Sequence, residues 1–198
     1  MIAAPGNQVL LEALFEIADD QAGYFTSRQA IAAGLSYRQL SYYATTGRIE
    51  RVRKGVYRLR HYPSSPHEDL FLWSLSLGPR AVLSHETALA LYDLSDVLPS
   101  QVHATVPRTS SRRRTGICLH TGHLPKSDTT HYERLPITTV PRTLADVAEA
   151  GLADELVTQA AREALRRGMT TASRLRRYAS SRGGRLARLI EQALRGEG

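Results

Sequence analysis

The sequence predicts an α+β chain: an N-terminal winged helix-turn-helix domain, then a mixed α/β C-terminal domain with a helical C-terminus. Three observations lead there. Residues 26–60, TSRQAIAAGLSYRQLSYYATTGRIERVRKGVYRLR, carry two short capped-helix signals joined at a glycine and followed by a basic hairpin. The stretch HYPSSP at 61–66 interrupts the chain with prolines and serines. Beyond it helical periodicity gives way to short β-like segments and returns from Pro141 onward. The expected domains are 1–62 and 67–198.

The first expected helix covers 8–18, where Val9, Leu10, Ala13, Leu14 and Ile17 recur at helical spacing. Thr26 caps the next helix, with Gln29 three residues on in capping-box position, and Ser36 with Gln39 repeats the arrangement. Gly34 between them supplies the positive φ of a tight turn, and Leu35 follows as a core contact. This spacing suits a helix-turn-helix, though not uniquely. Lys54 and Gly55 stand at the tip of the hairpin RVRKGVY. After the linker, HEDLFLWSLSL reads as a helix with Leu70, Trp73 and Leu77 on its apolar face, ended by Gly78-Pro79. SHETALALYDL reads as another, starting at Ser84 with Ala88, Leu91 and Tyr92 inward. QVHATVP and GICLHTG are short strands separated by the basic loop RTSSRRR, and HYERLPITTV gives one or two more. PRTLADVAEA, LADELVTQAAREALRR (ended by Gly168), TASRLRRYASS and RLARLIEQAL are helices, the last with Leu186, Leu189, Ile190, Ala193 and Leu194 in one stripe.

Composition narrows the function classes. The chain has 198 residues, 42% hydrophobic and 7% aromatic, enough for aliphatic cores. Cys118 is its only cysteine, so neither a disulfide framework nor a cysteine-rich zinc site is expected. The N-terminus lacks the basic start and apolar run of a signal peptide, and no stretch approaches membrane-spanning length. A soluble, cytoplasmic protein without membrane partners is expected.

Charge points to nucleic acid. Between 28 and 60, Arg28, Arg38, Arg48, Arg51, Arg53, Lys54, Arg58 and Arg60 face a single acid, Glu50. That excess equals the +7 net charge of the whole chain, so the remainder nearly balances. Clustered cations on such a motif neutralise phosphates and release counterions. In a helix-turn-helix the second helix enters the major groove. Here it runs from about Tyr37 to Thr46, and Leu40, Tyr43 and Ala44 are spaced to face the core. That leaves Tyr37, Arg38, Ser41, Tyr42 and Thr45 outward. Arg38 pairs with both acceptors of a guanine, and Gln39 reads adenine if capping does not occupy it. Tyr37, Ser41 and Tyr42 suit phosphates or thymine methyls. Ser27, Arg28 and the cap Ser36 open the two helices, Ser27 and Arg28 as backbone clamps. Arg51, Arg53 and Lys54 on the wing reach a minor groove or neighbouring phosphates.

Ten further arginines lie between 162 and 195, against Glu163 and Glu191. Arginines alternating with helical leucines make a solvated face more often than a site; a second nucleic-acid surface or a docking face for an acidic protein is the functional alternative. No catalytic residue is expected. Ser84-His85-Glu86 is contiguous, and neighbours on a helix point apart, which leaves His85 as a buried or capping residue. His103, His120, His123 and His131 are suggestive only as a count. No carboxylate stands at ligand spacing from His120 or His123, so no metal site is expected, and no glycine-rich phosphate loop calls for a cofactor.

The run from Phe25 to Leu59, above all AGLSYRQLSYYATTGRIERVRKGVYRL, resembles the AbiEi family, the antitoxin component of AbiE-type (type IV) toxin-antitoxin systems. VLSHETALALYDL followed by QVHATVP, and LPITTVPRTLADVAEAGL, are similar to recurrent features of the same group, so the resemblance spans roughly residues 8–195. It implies a DNA-binding antitoxin that represses its own operon through promoter inverted repeats and counteracts a cognate nucleotidyltransferase toxin, without a stable complex between them. It fixes no base-contact residues and no oligomeric state. Some relatives continue into a very-short-patch-repair-like endonuclease domain; this chain stops at Gly198, so no nuclease activity is expected. A stand-alone regulator, an enzyme built on the middle histidines and a docking module based on the basic C-terminus remain as alternatives.

Overall fold

The computed structural model describes residues 5–108 and 115–195, with side chains from residue 11. Val9 and Leu10, as side chains, and the loop arginines at 112–114 therefore lie outside the described residues. The chain divides into two compact units, Met1–Pro79 and Arg80–Gly198.

The first unit begins with α1 (Pro5–Asp19), continues through β1 (Tyr24–Thr26), α2 (Ser27–Ala32), α3 (Tyr37–Thr45), β2 (Ile49–Arg53) and β3 (Val56–Leu59), and closes with α4 (Glu68–Leu77). Its three strands form an antiparallel sheet in the order β1-β3-β2. The winged helix-turn-helix expected from the sequence is therefore present, with a third strand, Tyr24–Thr26, that sequence reading had not separated from the helix after it. Leu14, Ala18, Phe25, Ala30, Leu35, Leu40, Tyr43 and Ile49 form the core, drawing one face from every element up to β2. α4 belongs to this unit and not to the second, because it packs on β1 and β3. The Arg58 guanidinium holds Glu68 at 3.0 Å, and Arg53 lies over the Trp73 ring at 3.7 Å. The division thus falls after Pro79, beyond the proline-serine linker.

The second unit is a five-stranded mixed sheet with helices packed against it. β4 (Val82–Leu83), α5 (His85–Leu91), β5 (Val102–Val106), β6 (Ile117–Thr121), β7 (Thr129–Tyr132) and β8 (Leu135–Thr138) are followed by α6 (Val140–Glu149), α7 (Asp154–Arg166), α8 (Ala172–Ser180) and α9 (Gly184–Arg195). The strand order is β6-β5-β4-β8-β7. β5 pairs parallel with β6, in the register His103 to Cys118 and Thr105 to His120. The two-residue β4 is too short to show an alternation and was not expected. α6 is buried along Val140–Ala148 and packs against α5, α7, α8 and α9. Its Arg142 is held by Asp128 at 3.0 Å and by Asp146 at 2.7 Å, and burial outweighs the arginine's pull enough to raise the Asp146 pKa to about 6. Tyr178 of α8 donates to the same Asp128 carboxylate at 2.8 Å, tying that helix to the sheet edge.

Candidate nucleic-acid interface

The helix-turn-helix is set by two reciprocal caps. At α2 the Gln29 backbone N–H donates to Thr26 Oγ1 at 3.2 Å, and Thr26 N–H donates back to Gln29 Oε1 at 2.8 Å. At α3 the Gln39 backbone N–H donates to Ser36 Oγ at 3.2 Å, while Ser36 N–H and Oγ–H both donate to Gln39 Oε1 at 2.8 Å. Gly34 turns the chain between them at φ +99, and Leu35 N–H reaches the Ala30 carbonyl, which buries the Leu35 side chain in the core.

α3 divides as its spacing requires. Leu40 and Tyr43 are 1% exposed, whereas Tyr37 is 72% and Tyr42 58% exposed. Arg38, Ser41 and Thr45 share that exposed side. Thr45 Oγ1 donates to the Ser41 carbonyl one turn earlier, which occupies its hydroxyl proton. Two of the expected contact residues are constrained. Gln39 has its carboxamide oxygen engaged in the cap, so the two-point adenine contact would require the cap to open. Ser36, likewise, is occupied as the other half of that cap.

The wing is anchored to α2, because Ser27 N–H donates to the Gly55 carbonyl at 2.9 Å and Gly55 turns at φ +76. Arg51 and Lys54 are exposed beside this tip, and Arg28 is exposed on the first turn of α2. Arg53 differs. Its guanidinium lies flat against Trp73, a cation–π contact that directs it toward α4 and away from the wing tip. Arg58 is also committed inward, over Tyr24 and against Glu68; burial and the Glu68 charge together raise the Tyr24 pKa.

Most of the C-terminal arginines are paired within their own unit. Arg166 is held by Glu163, Arg176 by Glu191, and both Arg185 and Arg188 by Asp154. Arg182 reaches Asp128 and Glu149, and Arg167 donates to the carbonyls of Tyr92 and Asp93. Asp128, Glu149 and Asp154 lie before residue 162, so a count within that window misses them.

Three of the middle histidines, His85, His103 and His120, converge. His103 Nδ1 lies 3.1 Å from His120 Nε2, and Cys118 Sγ lies 3.6 Å from the same nitrogen. The parallel register of β5 and β6 puts all three on one face. The His85 ring stacks on His120 with centroids 3.4 Å apart and 11° between planes. His85 also meets Ser84, at 2.9 Å from Nδ1 to Oγ, because its backbone takes the left-handed φ of +53 in place of the helical one. Ser84 is fully buried, and its Oγ accepts a hydrogen bond from Thr105, so it is withheld from any substrate. Burial, with the neighbouring histidines, lowers the His85 pKa to about 3 and that of His120 to about 4; burial also lowers that of His103, against the pull of Glu86. His123 and His131 are exposed and stand apart from the cluster. The signal available in the sequence was Cys118-Leu119-His120, whose outer members share a strand face.

Comparison with known proteins agrees with the fold. A crystal structure of the RV2827C protein from Mycobacterium tuberculosis superposes with a TM-score of 0.54 at 13% identity, covering 96% of this chain and 77% of that one. No curated protein matches the sequence. None of the described helices is long and apolar enough to cross a membrane. Residues 12–60 match the family model described as "Transcriptional regulator, AbiEi antitoxin", so the helix-turn-helix segment is similar to that family, which supports a regulator or antitoxin role.

Proposed function

We propose that this protein is a sequence-specific DNA-binding repressor and antitoxin that regulates its own toxin-antitoxin operon and counteracts a nucleotidyltransferase toxin. The observation that supports it best is the outer face of α3. Two large aromatic side chains, Tyr37 and Tyr42, stand 72% and 58% exposed on either side of Arg38, on a helix whose other face is sealed into the core. Clustered exposed aromatics beside a cation mark a binding surface. In this reading α3 enters the major groove, Arg38 reads a guanine edge, and Tyr37, Ser41, Tyr42 and Thr45 contact phosphates or thymine methyls. Arg28 and Ser27 hold the backbone at α2, and Arg51 and Lys54 hold it at the wing. Two copies would occupy the inverted repeat, and the toxin relationship follows the family resemblance.

A gel-shift titration at physiological salt, with the DNA upstream of the protein's own gene against a scrambled duplex, tests the reading. Preference for the upstream fragment by a factor of about 1,000 is expected of a specific regulator. Equal affinity for the two would defeat the claim of sequence-specific autoregulation. Co-expression with a growth-arresting nucleotidyltransferase toxin, sought beside the protein's own gene, then tests the antitoxin half, which fails if growth is not restored.

A further inference from the structure

We propose that His103, Cys118 and His120 form a binding site for a single zinc-class divalent transition-metal ion, with a fourth coordination position open to solvent. The inference is independent of the DNA-binding reading and concerns the second unit alone.

Geometry carries it. A tetrahedral zinc-class ion with Zn–N near 2.0–2.1 Å and Zn–S near 2.3 Å sets its ligands roughly 3.3 Å apart for N···N and roughly 3.6 Å for N···S. The observed separations are 3.1 Å between His103 Nδ1 and His120 Nε2, and 3.6 Å between Cys118 Sγ and His120 Nε2. One ligand atom from each residue lies within 4.8 Å of the other two. Two of the three donor separations thus stand close to the edge lengths of a coordination tetrahedron before any ion is added, and the third lies within 4.8 Å. Two neutral imidazoles and a thiolate are also a borderline-soft set, which suits zinc and disfavours magnesium or calcium.

The surroundings fix the ligands in place. His103 and Cys118 are register partners on adjacent parallel strands, and His120 lies two residues further along β6, so the backbone ladder spaces all three. The His85 ring lies flat against His120 and restrains its plane, and the His85 backbone takes a positive φ of +53. Strained backbone of this kind is characteristic of functional sites. All three donors are half-buried, so an ion can enter and a water or an incoming ligand can complete the shell. On binding, the Cys118 thiol proton passes to solvent. The ring proton that lies between His103 and His120 moves to the other nitrogen of its own imidazole, so both rings stay neutral.

Co²⁺ titration of the untagged full-length chain under reducing conditions tests this. The chain has one cysteine, so any thiolate-to-cobalt charge-transfer band belongs to Cys118. Expected are one equivalent bound, visible ligand-field bands of tetrahedral strength, the charge-transfer band, and displacement of all of these by Zn²⁺. Cys118→Ala should remove the charge-transfer band, His120→Ala should weaken binding by at least about 100-fold, and His131→Ala should change neither. Absence of the band in the wild-type chain, or an unaltered spectrum in Cys118→Ala, would overturn the proposal. A second measurement needs no variant: saturating Zn²⁺ should slow alkylation of the Cys118 thiol at least about tenfold, and an unchanged rate would also overturn it.

Discussion

Gln39 distinguishes a helix that is merely capped from one that faces DNA. Its Oε1 accepts from Ser36 N–H and Oγ–H, each at 2.8 Å, while its Nε2 is not needed for the cap. Gln39→Glu keeps the acceptor, adds negative charge at a helix N-terminus, and should hold stability level or raise it by about 0.3–1 kcal/mol. Gln39→Ala removes the acceptor and should cost about 1 kcal/mol, as should Ser36→Ala. The double variant should cost more than either alone but less than their sum, because only the bond from Ser36 Oγ–H to Gln39 Oε1 is common to both. Binding should order the variants differently. A carboxylate on the first turn of α3 would approach a phosphate or a base edge, and a like-charge contact at 4 Å is worth about 1 to 4 kcal/mol between bulk-water and protein-surface screening. Gln39→Glu should therefore weaken upstream-DNA binding at least about fivefold and with a steep salt dependence, although it is the more stable protein. Urea unfolding followed by fluorescence gives the stabilities, and anisotropy titration of labelled DNA gives the affinities. If Gln39→Glu binds as tightly as wild type while remaining folded, the N-terminus of α3 does not face DNA and the proposed docking is wrong.

Four other outcomes are expected. Lys54→Ala should weaken upstream and scrambled DNA alike and reduce the salt slope by about 0.9, whereas Arg38→Ala should mainly erase the preference between them; indistinguishable effects would refute that division of roles. Arg53→Ala should leave the salt slope nearly unchanged but lower stability by about 1 kcal/mol through loss of the Trp73 contact, and a slope change as large as that of Lys54→Ala would show that Arg53 reaches phosphate. Asp128→Ala should cost about 3 kcal/mol in denaturant unfolding, since it leaves Arg142 buried with one partner and also removes the Tyr178 acceptor; a loss under 1 kcal/mol would mean that the pairing is not buried as described. Gly23→Ala should cost about 2 kcal/mol or more, because Gly23 turns at φ +83 and a Cβ there would meet Tyr62 Cγ at 2.5 Å; a neutral result would show that the Tyr62 ring moves aside freely.

Local signals in the sequence were sufficient for the helix-turn-helix. Each cap involves residues three apart, the turn glycine stands between them, and Leu40 and Tyr43 are one helical step from each other, so short-range chemistry determines the whole motif. What escaped notice depends on long-range pairing. β1 is three residues long and becomes a strand only by pairing with β3, and β4 is two residues long and is held between β5 and β8. The reach of α4 into the first unit was hidden for the same reason, since nothing local says that Trp73 will meet Arg53. The histidine cluster shows the limit most clearly. Cys118 and His120 share a face by simple alternation, but His103 joins them only because β5 and β6 run parallel in a register that no short segment dictates.

The distribution of arginine partners bears on where nucleic acid would bind. The chain is strongly basic in two segments, and a count of charges does not choose between them. Ion pairing does. In the C-terminal helices, Asp154 is shared by two arginines, and Glu163, Glu191 and Asp128 each engage at least one more, so part of the charge of that surface is compensated at short range. Between residues 28 and 60 Glu50 is the single acid in the sequence, and Arg28, Arg38, Arg51 and Lys54 are exposed on α2, α3 and the wing tip. Counterion release depends on cations able to exchange water for phosphate, not on the total number of arginines. Charge reversal at the two surfaces separates the cases: Arg51→Glu should weaken DNA binding at least about tenfold, and Arg188→Glu should leave it within about twofold while disturbing the contact with Asp154. The opposite ranking would transfer the nucleic-acid surface to the second unit.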